Sequence, residues 1–161
     1  MPYTVRTAKH EDLPTILHIY AGAREFMART GNPNQWGKTN PPESQLILDI
    51  DRGVLFVLVD AGVIHGVFYF AVEEDPTYAN IHEGSWDCST AYGVIHRIAS
   101  DGSGGIFTGA LNYAKTQADH IRIDTHHDNR VMQHVVEKHG FKKQGIIYIA
   151  DGTPRIAYAL Y

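Results

Sequence analysis

The sequence predicts a mixed α/β domain of about seven strands and four helices, with a largely antiparallel sheet. Three observations carry that expectation. Residues 92–125 read as a strand, a glycine loop, a helix and a second strand, the order of a βαβ unit. The stretches Asp60-Ala61-Gly62 and Asp151-Gly152-Thr153-Pro154 each separate two strand-like runs, as hairpin turns do. Helical apolar spacing stands ahead of the first hairpin and again between the βαβ unit and the second.

Taken in order, Tyr3–Arg6 is a short opening strand. Asp12 is placed to cap a helix whose inner stripe is Leu13, Ile16, Leu17, Tyr20 and Met27. Residues 31–42, GNPNQWGKTNPP, break every regular pattern and form a loop. Asn40, Pro41 and Glu43 then offer a cap, a first-turn proline and an acidic N3 residue for a short helix to about Ile50. Leu55–Val59 and Val63–Val72 make the first hairpin. Residues 73–87 form a longer connection with Tyr78, His82, Glu83, Trp86 and Asp87, the kind of loop that more often carries function than a short polar one. Within it, the charge run Glu73-Glu74-Asp75 reads as a solvated loop face. Gly145–Ala150 and Arg155–Tyr161 are the closing strands, the last with Ile156, Tyr158 and Leu160 opposite Arg155, Ala157 and Ala159.

At 161 residues the chain suits one domain, 1–161, with a proper core. A net charge of −4 gives no global basic field to attract nucleic acid or an anionic membrane. No apolar run reaches spanning length, and the first residues lack a signal peptide's charged and apolar regions. Cys88, the single cysteine, excludes an internal disulfide and suits a reducing, cytoplasmic setting, with nothing adjacent to activate it. Ten histidines raise the question of a metal. His126 and His127 are adjacent, which turns their side chains apart, and His134 and His139 are five apart rather than four, so no metal site is expected.

The glycine loop carries the chemistry. Val94, Ile95, Ile98 and Ala99 form a strand, Gly102-Ser103-Gly104-Gly105 interrupt it, and Phe107, Ala110, Leu111, Ala114 and Ala118 recur at helical spacing. His120–Thr125 is again strand-like, with Ile121 and Ile123 on one side and Arg122 and Asp124 on the other. Glycines at a strand-to-helix turn bring unpaired N–H groups to the positive end of a helix, where a phosphate can approach without a Cβ in the way. Asp128 and Asn129 stand at the start of the next helix, which runs through Val131–Lys138 to His139-Gly140-Phe141.

That sequence of parts resembles the GCN5-related N-acetyltransferase (GNAT) superfamily. The family's order is strand, pyrophosphate loop of the form Q/R-x-x-G-x-G/A, helix, strand, an Asn opening the next helix, and a closing Gly-Phe. Here His96-Arg97-Ile98-Ala99 resembles the end of the splayed fourth strand, Asn129 lines up with the helix-opening Asn, and Gly140-Phe141 with the closing pair. The specific resemblance covers roughly 50 residues, and the element order extends it over nearly the whole chain. It departs in three places. Gly102 stands at the Q/R position, Phe107 replaces the second Gly/Ala and is expected to crowd the cradle, and Val136 stands where many members carry a tyrosine acid.

The resemblance implies the GNAT fold with splayed central strands and transfer of an acetyl group from acetyl-CoA to an amine, by direct attack in a ternary complex. Ile98, Ala99 and Ser100 would pair with pantetheine, with an N–H near Ile98 facing the thioester oxygen. Gly102, Ser103, Gly104, Gly105, Ile106, Phe107 and Thr108 would hold the pyrophosphate, and Asn129 would reach the pantetheine amides. The first two helices and the long connection would line the acceptor side, with Trp36 a lid or a hydrophobic plug, and Glu83 and Trp86 against the substrate. Dimers are common in the family. His96 is the candidate base, since imidazole as a side-chain type titrates near neutrality, and its alternative is a histidine bonded in the core. Tyr148 is the candidate acid in place of the missing tyrosine; Glu83, Asp87 and His126 are further acid–base candidates. Arg97 alternates with His96 onto the other face, to pair with an acidic neighbour, its commoner fate, or to reach a cofactor phosphate. Glu43, Asp49, Glu73, Glu74, Asp75, Glu83 and Asp87 could line an acidic acceptor site, without the sequence showing which converge. The altered loop and the absent tyrosine keep two rivals open, a non-catalytic module of the same fold that binds CoA or another ligand, and a structural domain with an empty loop.

Overall fold

The computed structural model describes residues 3–161. Seven strands form one sheet in the order β1-β2-β3-β4-β5-β7-β6: β1 Thr4–Thr7, β2 Leu55–Asp60, β3 Val63–Val72, β4 Gly93–Ser100, β5 Ile121–Thr125, β6 Lys142–Tyr148 and β7 Pro154–Leu160. The helices are α1 Leu13–Arg29, α2 Glu43–Arg52, α3 Ile106–Gln117 and α4 Arg130–Lys138. All neighbours pair antiparallel except β4 and β5, which run parallel because α3 carries the chain back across the sheet. This is the mixed, largely antiparallel architecture that the sequence predicts. No helix among the described residues is long and apolar enough to cross a membrane.

Local chemistry sets most of the boundaries. The β2–β3 hairpin closes through Ala61 and Gly62, both left-handed at φ 50° and 79°, the two-residue geometry whose twist matches the strands it joins. Gly53 ends α2 in the left-handed conformation. Asn129 opens α4 by accepting the Met132 N–H on its side chain at 3.0 Å. Two expected caps fail. The Asp12 carboxylate does not cap α1; it accepts the Lys9 N–H at 2.8 Å and binds the Arg6 guanidinium, closing a short 3₁₀ turn at His10–Asp12. α2 begins at Glu43 with Pro42 as its cap, so Asn40 and Pro41 stay in the preceding loop.

Both faces of the sheet are covered. Phe56, Leu58, Phe68 and Phe70 pack with α3 and with Val136 of α4. Leu55, Val57 and Val67 pack with Ile16, Ile19 and Tyr20 of α1 and Leu46 of α2 on the opposite face. The alternation along β2 sends successive side chains to different helices, as the pleat requires. On β7 both sides are buried, Ile156 and Tyr158 towards α3 and α4, and Ala157 towards Tyr78 and Ile147. The 73–92 connection that covers this second face is pinned by an isolated bridge between His82 and Ile146, with bonds of 2.8 and 2.7 Å.

One irregularity positions the site. Val67 stands opposite Ala99 and Tyr69 opposite His96, so Arg97 and Ile98 together face the single residue Phe68. Arg97 adopts φ 50° in this bulge. The extra residue flips the side-chain parity of β4: Ile95 belongs to the α3 core, whereas Ala99 belongs to the α1 core.

Gly145 of β6 tests the anchoring of the connection. A Cβ there would lie 2.6 Å from the His82 carbonyl oxygen, a backbone atom that also accepts the Ile146 N–H. Gly145→Ala is expected to destabilise the fold by about 1–3 kcal/mol, the range for overpacking a tight site. Urea denaturation of the two proteins measures it.

Candidate active site

β4 is the strand whose ladders are broken on both sides. Its pairing with β5 stops after Gly93–Ile121 and Val94–Arg122, and its register with β3 skips Arg97 and Ile98. Ile98 therefore has no ladder partner on either neighbouring strand, and β4 and β5 splay apart from Ile95 onward. Two cavities open at the splay. One, of about 500 Å³, lies between β4, β5, the loop after α1 and the β6–β7 turn; the other, of about 520 Å³, runs between α1, α4 and the end of β4. They share Met27, Ile98, Asn129 and Met132 as common walls.

The first cavity is lined by ionisable groups in defined pairs. His96 Nε2 lies 2.6 Å from Asp75 Oδ2, and its Nδ1 lies 3.9 Å from Asp124 Oδ2. Asp124 Oδ2 accepts the Tyr78 hydroxyl at 2.7 Å. Burial works to raise the Asp75 carboxyl, and hydrogen bonds from His96 and Thr77 outweigh it, leaving the group at about 2. An ionised Asp75 fixes the imidazole with Nε2–H donating, which leaves Nδ1 as the accepting nitrogen. Tyr78 itself is held neutral: burial and the Asp124 carboxylate push its hydroxyl well above the ordinary value.

Arg97 pairs with an acid as expected, but its direction differs from the alternation argument. The bulge turns it, so that its guanidinium lies 4.8 Å over the Tyr69 ring, the same ring that His96 contacts at 5.4 Å. The guanidinium binds Asp49, which is fully buried and also accepts Gln45 Nε2 at 2.9 Å. The Arg97 carbonyl accepts the Tyr20 hydroxyl at 2.6 Å. Side chain and main chain of the bulge are thus tied to α2 and α1 separately.

The second cavity ends at the glycine loop. Gly102 N–H donates to Ser100 Oγ at 3.0 Å, and Ser103 N–H to Asp101 Oδ1 at 2.9 Å. His65 holds the other Asp101 oxygen at 2.8 Å. No described group accepts the N–H of Gly104, Gly105 or Ile106. Gly105 sits at φ 81° as the uncapped start of α3, and the Cβ positions of Gly102 and Gly104 meet only open space. These amides fit an anion such as a pyrophosphate. Phe107 does not crowd them. It is buried in the core, edge-on to His139 and Phe141, so the substitution at the second Gly/Ala position points away from the cradle.

The other expected residues divide. Ala99, Ser100 and Gly102 line the second cavity and Ile98 lines both. Ser103 bonds His65, Ile106 is in the core, and Thr108 bonds His139 at 2.9 Å. Asn129 stands at the junction, but its Oδ1 is spent on the α4 cap and its Nδ2 donates to Gln35 at 3.0 Å. Trp36 lines the first cavity and packs edge-on against Tyr20 at 5.5 Å. Tyr148, Glu83 and Trp86 line neither cavity. Tyr148 is exposed at the end of β6 beside His82, Glu83 is exposed in the loop, and Trp86 lies under Arg122 at 3.7 Å with its indole N–H on the Tyr78 carbonyl. Asp87 is engaged with Gln144. His126 and His127 do not diverge; the turn after β5 stacks their rings 4.3 Å apart, and with Asp128 their ligand atoms lie within 4.8 Å of one another.

No family model matches the sequence, and no curated protein does. Solved structures do. An acetyltransferase of the GNAT family from Streptococcus agalactiae 2603 superposes with a TM-score of 0.87 at 27% identity, over 98% of this chain and 94% of that one. A second acetyltransferase structure, from Staphylococcus aureus Mu50, gives 0.69 at 24% identity over 97% of each chain. A phosphinothricin acetyltransferase from Sinorhizobium meliloti, in complex with AcCoA, gives 0.64 at 15% identity, over 99% and 88%. The chain belongs to the GNAT superfamily.

Within this GNAT chain, sequence reasoning missed Gln35, Asp124, Thr125 and Arg155, all of which line the first cavity. The signal for Asp124 and Arg155 was present in the alternation of β5 and β7, which put both off the α3 face. Asp75 carried the opposite signal. A charge run reads as solvated, yet this side chain is 12% exposed because the 3₁₀ turn at Pro76–Tyr78 folds it onto His96.

The depressed Asp75 group sets a pH signature. A carboxyl near 2 in the folded chain and near 3.9 when unfolded contributes stability in full above about pH 4, and that contribution disappears as pH falls towards 2. Asp75→Asn is expected to flatten this part of the curve of melting temperature against pH, which thermal denaturation between pH 5 and 2 reads.

Proposed function

We propose that residues 1–161 act as one acetyltransferase domain, moving an acetyl group from acetyl-CoA to a primary amine of a small molecule or peptide by direct attack in a ternary complex. The observation that carries this reading is the position of Ile98, a backbone group without a ladder partner in the wall common to both cavities. One cavity reaches Gly102 at the start of the glycine loop, whose open amides follow at Gly104, Gly105 and Ile106, and it suits the long, anionic donor. The other holds the ionisable pairs and suits the amine.

In this reading the donor's pyrophosphate lies on the amides of Gly104, Gly105 and Ile106, and its pantetheine chain runs along Ile98 and Ala99. The Ile98 N–H is fixed by the bulge before substrate arrives, so a carbonyl oxygen that gains charge there finds its donor already oriented. The amine occupies the first cavity beside Asp75 and Asp124. Its nitrogen forms the new N–C bond as the C–S bond breaks, the sulfur leaves with the electron pair as the CoA thiolate, and the amine proton passes to His96 Nδ1. Asp75 holds the imidazole in the accepting tautomer and stabilises it once protonated. Tyr148, exposed and outside both cavities, takes no part.

Acetyl-CoA at about a hundred times its dissociation constant should add roughly 2.7 kcal/mol, a rise of roughly 5–10 °C in melting temperature for a chain of this size. Gly105→Asp should remove most of that rise by placing a carboxylate at the anion cradle. His96→Ala should leave the rise intact and lower the rate of CoA release with an amine acceptor by about 10²–10⁴-fold. A chain that gains no stability from acetyl-CoA at millimolar concentration would refute the donor site. Binding without turnover on any amine would mark a module that only holds the ligand.

A further inference from the structure

A hydroxyl is buried at the splay with nothing to bond. Thr125, the last residue of β5, is 1% exposed and lines the first cavity, and its Oγ1 has no hydrogen-bond partner among the described residues. The other cavity-lining atom in that position, Arg97 Nε, belongs to a guanidinium that Asp49 already pairs. A buried hydroxyl without a partner costs free energy, and a valine of the same shape would fill the space without that cost.

The direction of Thr125 follows from its pairing. It stands opposite Ile156 on β7, and residues opposite one another share a face, here the one packed by α3 and by Val136 of α4. Ile98 packs against the same cluster from β4. Its level follows from register. The pairs Gly93–Ile121 and Val94–Arg122, carried on in step, would bring Arg97 level with Thr125, and the extra residue of the bulge brings Ile98 there instead. Ile98 and Thr125 thus stand across the splay from each other, on the two strands that bound it. Val136, fully buried on that face, stands where many GNAT members carry a tyrosine acid, and its side chain has no hydrogen to donate.

Resting on the transferase reading above, we propose that Thr125 is a catalytic residue: its hydroxyl donates a hydrogen bond to the CoA sulfur as the C–S bond breaks. The Ile98 N–H serves the carbonyl oxygen from β4 and Thr125 serves the sulfur from β5, so each atom that gains charge has a donor fixed in advance. The amine lone pair makes the N–C bond, the C–S pair leaves on sulfur, and the amine proton goes to His96. Threonine keeps its own proton, because an aliphatic hydroxyl is a much weaker acid than a thiol. The sulfur of a thioester carries little charge and that of the leaving thiolate a full one. The bond therefore strengthens along the reaction, which is what lowers a barrier.

The test compares the whole chain as wild type, Thr125→Val and Thr125→Ser. Single-turnover release of CoA is followed with a thiol reagent, using the best acceptor among spermidine, L-lysine, tyramine and an alanine peptide. The thiol of bound CoA is titrated by the ultraviolet absorbance of its thiolate, with the desulfo-CoA complex as baseline. Melting temperatures are recorded with and without acetyl-CoA. Thr125→Val should slow release about ten- to a hundredfold, the loss expected for one hydrogen bond to a charged group, with KM for acetyl-CoA unchanged. It should also move the titration of bound CoA upward by about one pH unit, while the free chain melts no lower than wild type. Thr125→Ser returns the hydroxyl and should restore both rate and titration. A merely structural threonine would lower the melting temperature when replaced by valine and leave the titration of bound CoA where it was. An unmoved titration overturns the proposal, as does a rate that serine does not restore. CoA bound without turnover on any acceptor would refute the transferase reading, and the thiol titration would still support or overturn the role of Thr125. No stabilisation by CoA or acetyl-CoA refutes both.

Discussion

Backbone groups inside a sheet must find partners, and this fold withholds them at one point. β4 lies between an antiparallel neighbour that skips two of its residues and a parallel neighbour that leaves after two pairs. Everything at the site depends on that double loss. It opens both cavities, puts Ile98 in their common wall, and leaves His96 in the lining of the first. A ladder continued to the end of β4 would have closed the cleft and engaged the Ile98 N–H.

A bulge with a non-glycine residue at positive φ costs of order 1–3 kcal/mol and persists only where its surroundings hold it. Here the holding is specific. Tyr20 of α1 takes the Arg97 carbonyl, and Asp49 of α2 takes the Arg97 guanidinium while Gln45 steadies Asp49. Burial drives the Tyr20 hydroxyl pKa upward, so it stays a neutral donor. The two N-terminal helices therefore do more than cover a sheet face. They clamp the strand irregularity on which the cleft is built, and Trp36, from the loop between them, packs on Tyr20 and closes the cavity side.

Electrostatics distinguishes the two cavities. The second cavity ends at Asp101 and Gly102, short of the uncharged amides at the helix start, and the Asp101 carboxylate is already engaged by Ser103 and His65. The other cavity concentrates Asp75, Asp124, His96 and Arg155 within one enclosure, where charges act on one another strongly because little water separates them. Such a mixed lining is unlike a uniformly acidic site for polycations. It has a place for each sign.

The sequence by itself determined the elements. Period-two runs, hairpin turns and the glycine loop located the strands and α3, and Asn129 and Gly140 bounded α4, because those signals are local and depend on backbone preferences that distant residues do not change. Local reasoning also misfired where a tertiary partner outbid it: Asp12 left its cap for Arg6, and Phe107 turned into the core rather than the loop. Only the tertiary structure decided which ionisable residues meet. His96 was legible as a candidate, but its partner Asp75 comes from a loop 21 residues away, and Tyr148 and Trp86, reasonable by type, ended outside the cleft. The bulge was invisible for the same reason. It is a mismatch in register between two strands, and register belongs to the pair rather than to either sequence segment alone.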